Sequence, residues 1–112
     1  MKFADVAQRL GAEVAHRGST FDREELHHVM ASDLMSDVLV VDRSRLLILT
    51  ALASDQAIRT ADMVGAAGVV VVNGKTLPAH MTRLAAELDV TLLRTRKPKF
   101  EACVALRELA AP

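Results

Sequence analysis

At 112 residues the chain is the size of one domain, below the length at which chains divide into two. The 14 Lys and Arg balance 14 Asp and Glu, so the formal net charge is zero and bulk charge grips neither nucleic acid nor an anionic membrane. Aromatic residues are 3% of the chain, with no Trp or Tyr, which leaves no platform for stacking single-stranded bases.

The core must therefore be built from Ala, Val, Leu, Met and 3 Phe. Such small units suit helices laid closely on a sheet. One cysteine, Cys103, permits no internal disulfide, and among its apolar neighbours it reads as a small buried hydrophobe. The N-terminus carries Asp5 and Arg9 within its apolar pattern, so it does not read as a signal peptide. The longest purely apolar run, residues 65–72, is far short of the about 20 residues that span a bilayer. A cytoplasmic protein is the simplest expectation.

In chain order, Phe3, Val6, Ala7 and Leu10 share one helical face, and Gly11 is the stop. Residues 12–16 read as a short strand, 17–25 as a polar loop and 26–31 as a second short strand. Ser32-Asp33 is a helix-start signal, because both side chains can accept first-turn N–H groups. Leu34, Met35, Val38 and Leu39 then form an apolar stripe, and 42–45 a turn. The run 46–50, bounded by polar residues, is the pattern of a buried strand.

Ser54-Asp55 caps a helix with Ala57, Ile58, Ala61, Met63 and Val64 as its apolar residues, ending at Gly65. Residues 68–72 (GVVVV) are the clearest strand, since β-branched runs suit a sheet covered on both faces. Asn73-Gly74 is a turn. Pro78 fits a first helical turn, and that helix runs to about Asp89 with Met81, Leu84, Ala85 and Leu88 inward. A strand over 90–93 and a basic loop over 94–99 follow. Pro98 opens a last helix expected to turn Phe100, Cys103, Val104 and Leu106 inward. Alternation of helix and strand from residue 32 onward predicts an α/β fold, a three-layer α/β/α sandwich on a mainly parallel sheet.

Gly74-Lys75-Thr76 after a strand evokes a phosphate-binding loop, but Gly68 sits one residue too far away and VVVVN between them is strand, not flexible loop. A turn with Lys75 in solvent is the plainer reading. The adjacent His27 and His28 would point to opposite faces of a strand, and no histidine spacing supports a zinc site. No metal and no cofactor are expected. Ser32-Asp33 and Ser36-Asp37 are spaced to share a helical face, where two carboxylates could hold Mg²⁺; a capped helix start with solvated acids is favoured. Arg94-Thr95-Arg96-Lys97-Pro98-Lys99 is either a solvated basic loop or, more pointedly, a phosphate-recognising one. No nucleophile, base and orienting group are legible together.

The segment Asp22-Arg23-Glu24, followed by Ser32-Asp33-Leu34-Met35-Ser36-Asp37-Val38-Leu39, resembles the DRTGG domain family. The later strand 46–50, the alanine-rich helix, the GVVVVNGK segment and the closing Phe100-Glu101-Ala102 helix are similar as well, so the resemblance covers essentially the whole chain, 1–112. Members of that family stand beside CBS domains in regulatory pyrophosphatases, at the N-terminus of some phosphotransacetylases, or alone. They are similar to the N-terminal domain of HPr kinase/phosphorylase, whose kinase activity lies in a different domain. The family's Gly-Gly is missing here, and His27-His28 lies near that place, which removes bare-backbone contacts to a ligand.

The resemblance implies a non-catalytic regulatory or scaffold domain, working as a homodimer and binding a small anionic ligand such as an adenine nucleotide. The residues it would use are Asp22, Arg23, His28, Ser32, Asp33 and Ser36, with Arg23 contacting anionic groups. Two alternatives compete: a protein-interaction module for a partner enzyme, without ligand, and a small enzyme using His27 or His28 beside Asp22. Acids gather over 22–37 and bases over 94–99, and a dimer interface is where the two are expected to meet.

Overall fold

A computed structural model describes residues 1–41 and 45–110. Apart from Arg45, the turn expected at 42–45 lies outside the described residues. The elements run α1 (Phe3–Leu10), β1 (Glu13–His16), β2 (His28–Ala31), α2 (Met35–Val38), β3 (Leu46–Thr50), α3 (Asp55–Val64), β4 (Gly68–Val71), α4 (Ala79–Leu88), β5 (Thr91–Arg94) and α5 (Lys99–Ala110).

The sheet has five strands in the order β1-β5-β4-β3-β2. β2, β3, β4 and β5 are parallel neighbours, and β1 joins β5 antiparallel. β3 and β4 are buried along their whole length, as their unbroken apolar runs require. Alternate residues feed two cores. Ile48, Val69, Val71 and Leu92 pack with α2, α3 and α4 on one face. Leu47, Leu49, Val70, Val72 and Leu93 pack with α1 and α5 on the other. The expected α/β/α sandwich is therefore present, with one antiparallel edge strand.

The helix stops are as read from the sequence. Gly11, Gly65 and Asp89 take left-handed conformations as C-caps, and their N–H groups close the last turns of α1, α3 and α4. Gly68 has a different role. A Cβ there would lie 2.7 Å from the Phe3 ring and 2.9 Å from the Thr91 carbonyl oxygen, so only glycine lets α1 lie this close to β4.

Four sequence expectations are corrected. α2 begins at Met35, not at Ser32-Asp33, and spans only four residues. Leu34 and Leu39 flank it and are exposed, so only Met35 and Val38 enter the core. Met63 on α3 is 73% exposed, and Ala57, Ile58, Thr60 and Ala61 make the buried face there. Phe100 is 77% exposed and Val104 is also exposed. The face of α5 that meets the sheet is set by Ala102 and Leu106, because a small residue permits closer approach than Phe100 would.

Candidate functional site

The C-terminal ends of the parallel strands carry a cluster of polar side chains. In open α/β sheets that edge is the usual ligand side, since strand ends meet helix N-termini there. β2 delivers Ser32 and Asp33. The Ser32 hydroxyl accepts from the Leu34 N–H (3.1 Å), which turns the chain into α2. Asp33 is not on that helix. Its Oδ1 accepts from the Ala51 N–H (2.7 Å) and from the Thr50 hydroxyl (3.1 Å), clamping the loop after β3 to the end of β2. Its Oδ2 accepts from Lys99 Nζ at the start of α5. The Lys99 bond, followed by the Ala51 N–H, holds the Asp33 carboxyl below the usual carboxylate value, against the opposing effect of partial burial.

The β4–α4 and β5–α5 loops are bonded to one another at the same edge. Asn73 Oδ1 accepts from the Lys99 N–H (2.8 Å), so it caps α5 from another loop. Asn73 N–H donates to the Lys97 carbonyl (2.9 Å) and Gly74 N–H to the Thr95 carbonyl (3.0 Å). Asn73 and Gly74 both have positive φ, which this residue pair tolerates best. Arg94 Nε donates to the Lys75 carbonyl (2.5 Å), and the buried Thr95 hydroxyl donates to the Leu10 carbonyl (2.7 Å). Thr95, buried inside the loop, fixes the backbone that presents Arg96, Lys97 and Lys99. Among the described residues, Lys75, Arg96 and Lys97 make no ion pair within the chain. Nearby, His80 at the start of α4 meets Asp55 at the start of α3 (Nδ1 to Oδ1 2.6 Å).

The opposite edge holds the Asp22 loop. Gly18 N–H donates to the Thr91 hydroxyl (3.0 Å) and Ser19 N–H to Asp89 (2.9 Å), so this loop covers the start of β5. Asp22 pairs with Arg17, whose guanidinium lies 4.0 Å above the Phe21 ring, and Arg23 donates to the Ser19 carbonyl (3.3 Å). The Ser19 hydroxyl and its N–H hold the Asp89 carboxyl below its usual value. His16, Asp89 and Ser19 form a local cluster, but the carboxylate sits between hydroxyl and imidazole (3.8 Å from His16 Nε2), an order that cannot activate the serine.

The six residues singled out from the sequence therefore divide. Ser32, Asp33 and the exposed Ser36 stand at the C-terminal edge. Asp22 and Arg23 stand at the N-terminal edge. His28 opens β2, level with Leu46. It lines a groove of about 690 Å³ beside the strand, together with Val29, Ala31, Cys103, Leu106 and Arg107. Four residues of β2 at about 3.3 Å each separate the two ends. Asp22 pairs with Arg17, and the two imidazoles of His27 and His28 lie 6.5 Å apart, nearly perpendicular. Asp33 and Asp37 do not share a helical face, because Asp33 precedes α2. The acidic and basic segments meet within one chain, at Asp33 and Lys99. Thr50, Asn73 and the Ala51 N–H were not flagged by the sequence. A threonine ending an apolar strand and an Asn-Gly pair at the next strand end are the only local signals of them.

The likeness to known proteins agrees with this architecture. A search of curated protein sequences found no significant match. Among solved structures, the CBS and DRTGG domains of the regulatory region of a Clostridium perfringens pyrophosphatase, determined with the activator diadenosine tetraphosphate, superpose with a TM-score of 0.76 at 13% identity. The match covers 94% of this chain and 45% of that one, so this chain spans under half of that structure. At such identity the likeness shows the fold. The family model for the DRTGG domain matches residues 5–109, nearly the whole sequence, and the chain belongs to the DRTGG domain family.

Proposed function

We propose that this domain is a regulatory module that binds a small phosphate-bearing ligand, of the adenine nucleotide class, at the C-terminal edge of its sheet. The observation that carries the reading is the convergence at that edge of the Ser32-Asp33 strand end, the Thr50–Ala51 loop and the basic loop that ends in Lys99. Arg96 and Lys97 supply charge without internal partners among the described residues, and the starts of α3, α4 and α5 add backbone donors and the positive end of each helix dipole. The pyrophosphatase relative, with its nucleotide activator, supports the ligand class by analogy of fold.

In this reading the domain has no chemistry of its own. Ser32, Asp33 and Ser36 stand along that edge, Arg96 and Lys97 neutralise phosphate with Lys99 held beside them by Asp33, and the length of β2 separates this site from Arg23 and His28. The domain works as a pair of identical copies within the cytoplasm, reporting ligand to a neighbouring enzyme domain. Calorimetry against a panel of adenine nucleotides and acyl phosphates tests the ligand half. Heat with a nucleotide, lost in Lys97→Ala and Lys99→Ala, is the expected result; no heat with any member overturns it.

A further inference from the structure

Val29 and Ala31 stand level with Leu47 and Leu49 in the ladder, so their side chains rise from the face that α1 and α5 cover. On that face α5 packs over β3, and Val29 and Ala31 remain exposed beyond it. Between this strip of β2 and the flank of α5 lies the groove of about 690 Å³. Its size is that of a small-molecule pocket. β2 is four residues long, about 13 Å at 3.3 Å per residue, and sets the length of the floor.

The charge of the groove is one-sided and confined to one end. Leu26, Val41 and Leu46 add to an apolar lining, and among the described residues the charged and imidazole side chains on it are His27, His28 and Arg107, with no acid. α5 begins at Lys99, which reaches Asp33 beyond the end of β2, and runs back toward the start of that strand. Arg107, in the last turn of α5, therefore comes down near the end where His28 opens β2. Cys103 lies one turn before it on the same flank. Among the described residues Arg107 makes no ion pair within the chain, whereas the adjacent Glu108 turns to Arg9 on α1. The Val29 N–H is a further donor there, because alternation turns it away from β3 while the His28 and Ser32 N–H groups go to the Arg45 and Leu49 carbonyls.

We propose that this groove binds an aliphatic carboxylic acid of medium chain length, at a site separate from the phosphate-binding edge. The chain lies along Val29 and Ala31 against the Cys103 flank of α5, and the carboxylate meets Arg107 beside the two imidazoles. A guanidinium takes a carboxylate through two parallel N–H bonds, which answers the one full charge that the lining leaves without an internal partner. The aliphatic body removes from water the apolar strip that α5 does not reach. An uncharged apolar molecule would leave Arg107 unanswered, and a nucleotide would bring no aliphatic body to the floor.

Cys103, the chain's one cysteine, lines the groove and reports its occupancy. Alkylation of the native chain by neutral iodoacetamide should slow to a plateau as decanoate is added. Decanol and acetate, which lack the charge and the chain respectively, should protect little at the same concentrations. Arg107→Ala should weaken the protection by about tenfold, the loss of one charged contact. Val29→Glu, which sets an acid on the floor, should abolish it. Both positions are exposed, so far-ultraviolet circular dichroism should be unchanged. Lys97→Ala should leave the protection intact, which keeps this test independent of the phosphate reading. No plateau with decanoate, equal protection by decanol, or undiminished protection in Arg107→Ala overturns the proposal. Protection lost in Lys97→Ala places the acid at the phosphate-binding edge and overturns this groove as its site.

Discussion

Asp33 and Lys99 lie 66 residues apart and join the end of β2 to the start of α5. The same carboxylate holds Thr50 and the Ala51 N–H, so one side chain ties an edge strand, a central strand end and a helix on the far face of the sheet. Its two sides differ in energetic weight. The lysine bond is exposed and screened, whereas the Thr50 side is buried.

Lys99→Met should therefore cost little, below about 1 kcal/mol of unfolding free energy in urea, as exposed ion pairs do. Asp33→Ala should cost more, about 1–3 kcal/mol, because the buried Thr50 hydroxyl and the Ala51 N–H lose their acceptor. Equal costs for the two variants would contradict this division.

The same carboxylate sets a pH dependence. Asp33 and Asp89 both have native pKa values lowered from 3.8. A carboxyl depressed on folding adds stability that is fully present above its unfolded value and is lost as pH falls through the native value. Chemical denaturation across the acid range should show stability flat above about pH 5 and declining below pH 4. Asp33→Asn should flatten part of that decline. A native chain that gains stability on acidification would be the contrary result.

Gly68→Ala tests the close approach of α1 to β4. The added methyl meets the Phe3 ring and the Thr91 carbonyl oxygen, and the latter, as backbone, cannot swing away. A loss of about 1–3 kcal/mol is expected, read as a lowered thermal midpoint by circular dichroism. An unchanged midpoint would show that α1 sits farther from the sheet.

On α5, Leu106→Ala should cost about 2–5 kcal/mol, as for a buried leucine, while Phe100→Ser should stay within about 0.5 kcal/mol for the monomer. Urea unfolding of both variants at low protein concentration decides it. A large loss at Phe100 would return that ring to the core.

The strands and stops were legible because each rests on local chemistry. Leu46–Thr50 and the valine run can satisfy their apolar surface only inside a covered sheet, and Gly11 and Gly65 announce left-handed caps. Asp89 did the same less openly. The helix faces were harder. Reading α5 by its largest residues chose Phe100, yet the sheet accepts Ala102 because small side chains bring the backbone nearer. The start of α2 was misplaced because Ser32 and Asp33 have the composition of a helix cap. Asp33 instead answers donors on a strand next to β2, which no local window contains. Half of the chosen site residues, Asp22, Arg23 and His28, stand at the other end of the sheet from Ser32, Asp33 and Ser36 for the same reason. Asp22 and Arg23 come only ten residues before Ser32, and the length of β2 carries the chain across the sheet between them.

A phosphate-bearing ligand seated at the C-terminal edge would perturb the amides around it. The most direct measurement is a titration of the isotopically labelled domain with ATP, followed by amide chemical shifts. Saturable shifts are expected at Asp33, Ala51, Gly74, Lys97 and Lys99, with the amides of Arg17 to Arg23 unmoved. No saturable shift, or shifts centred on Asp22 and Arg23, would contradict it.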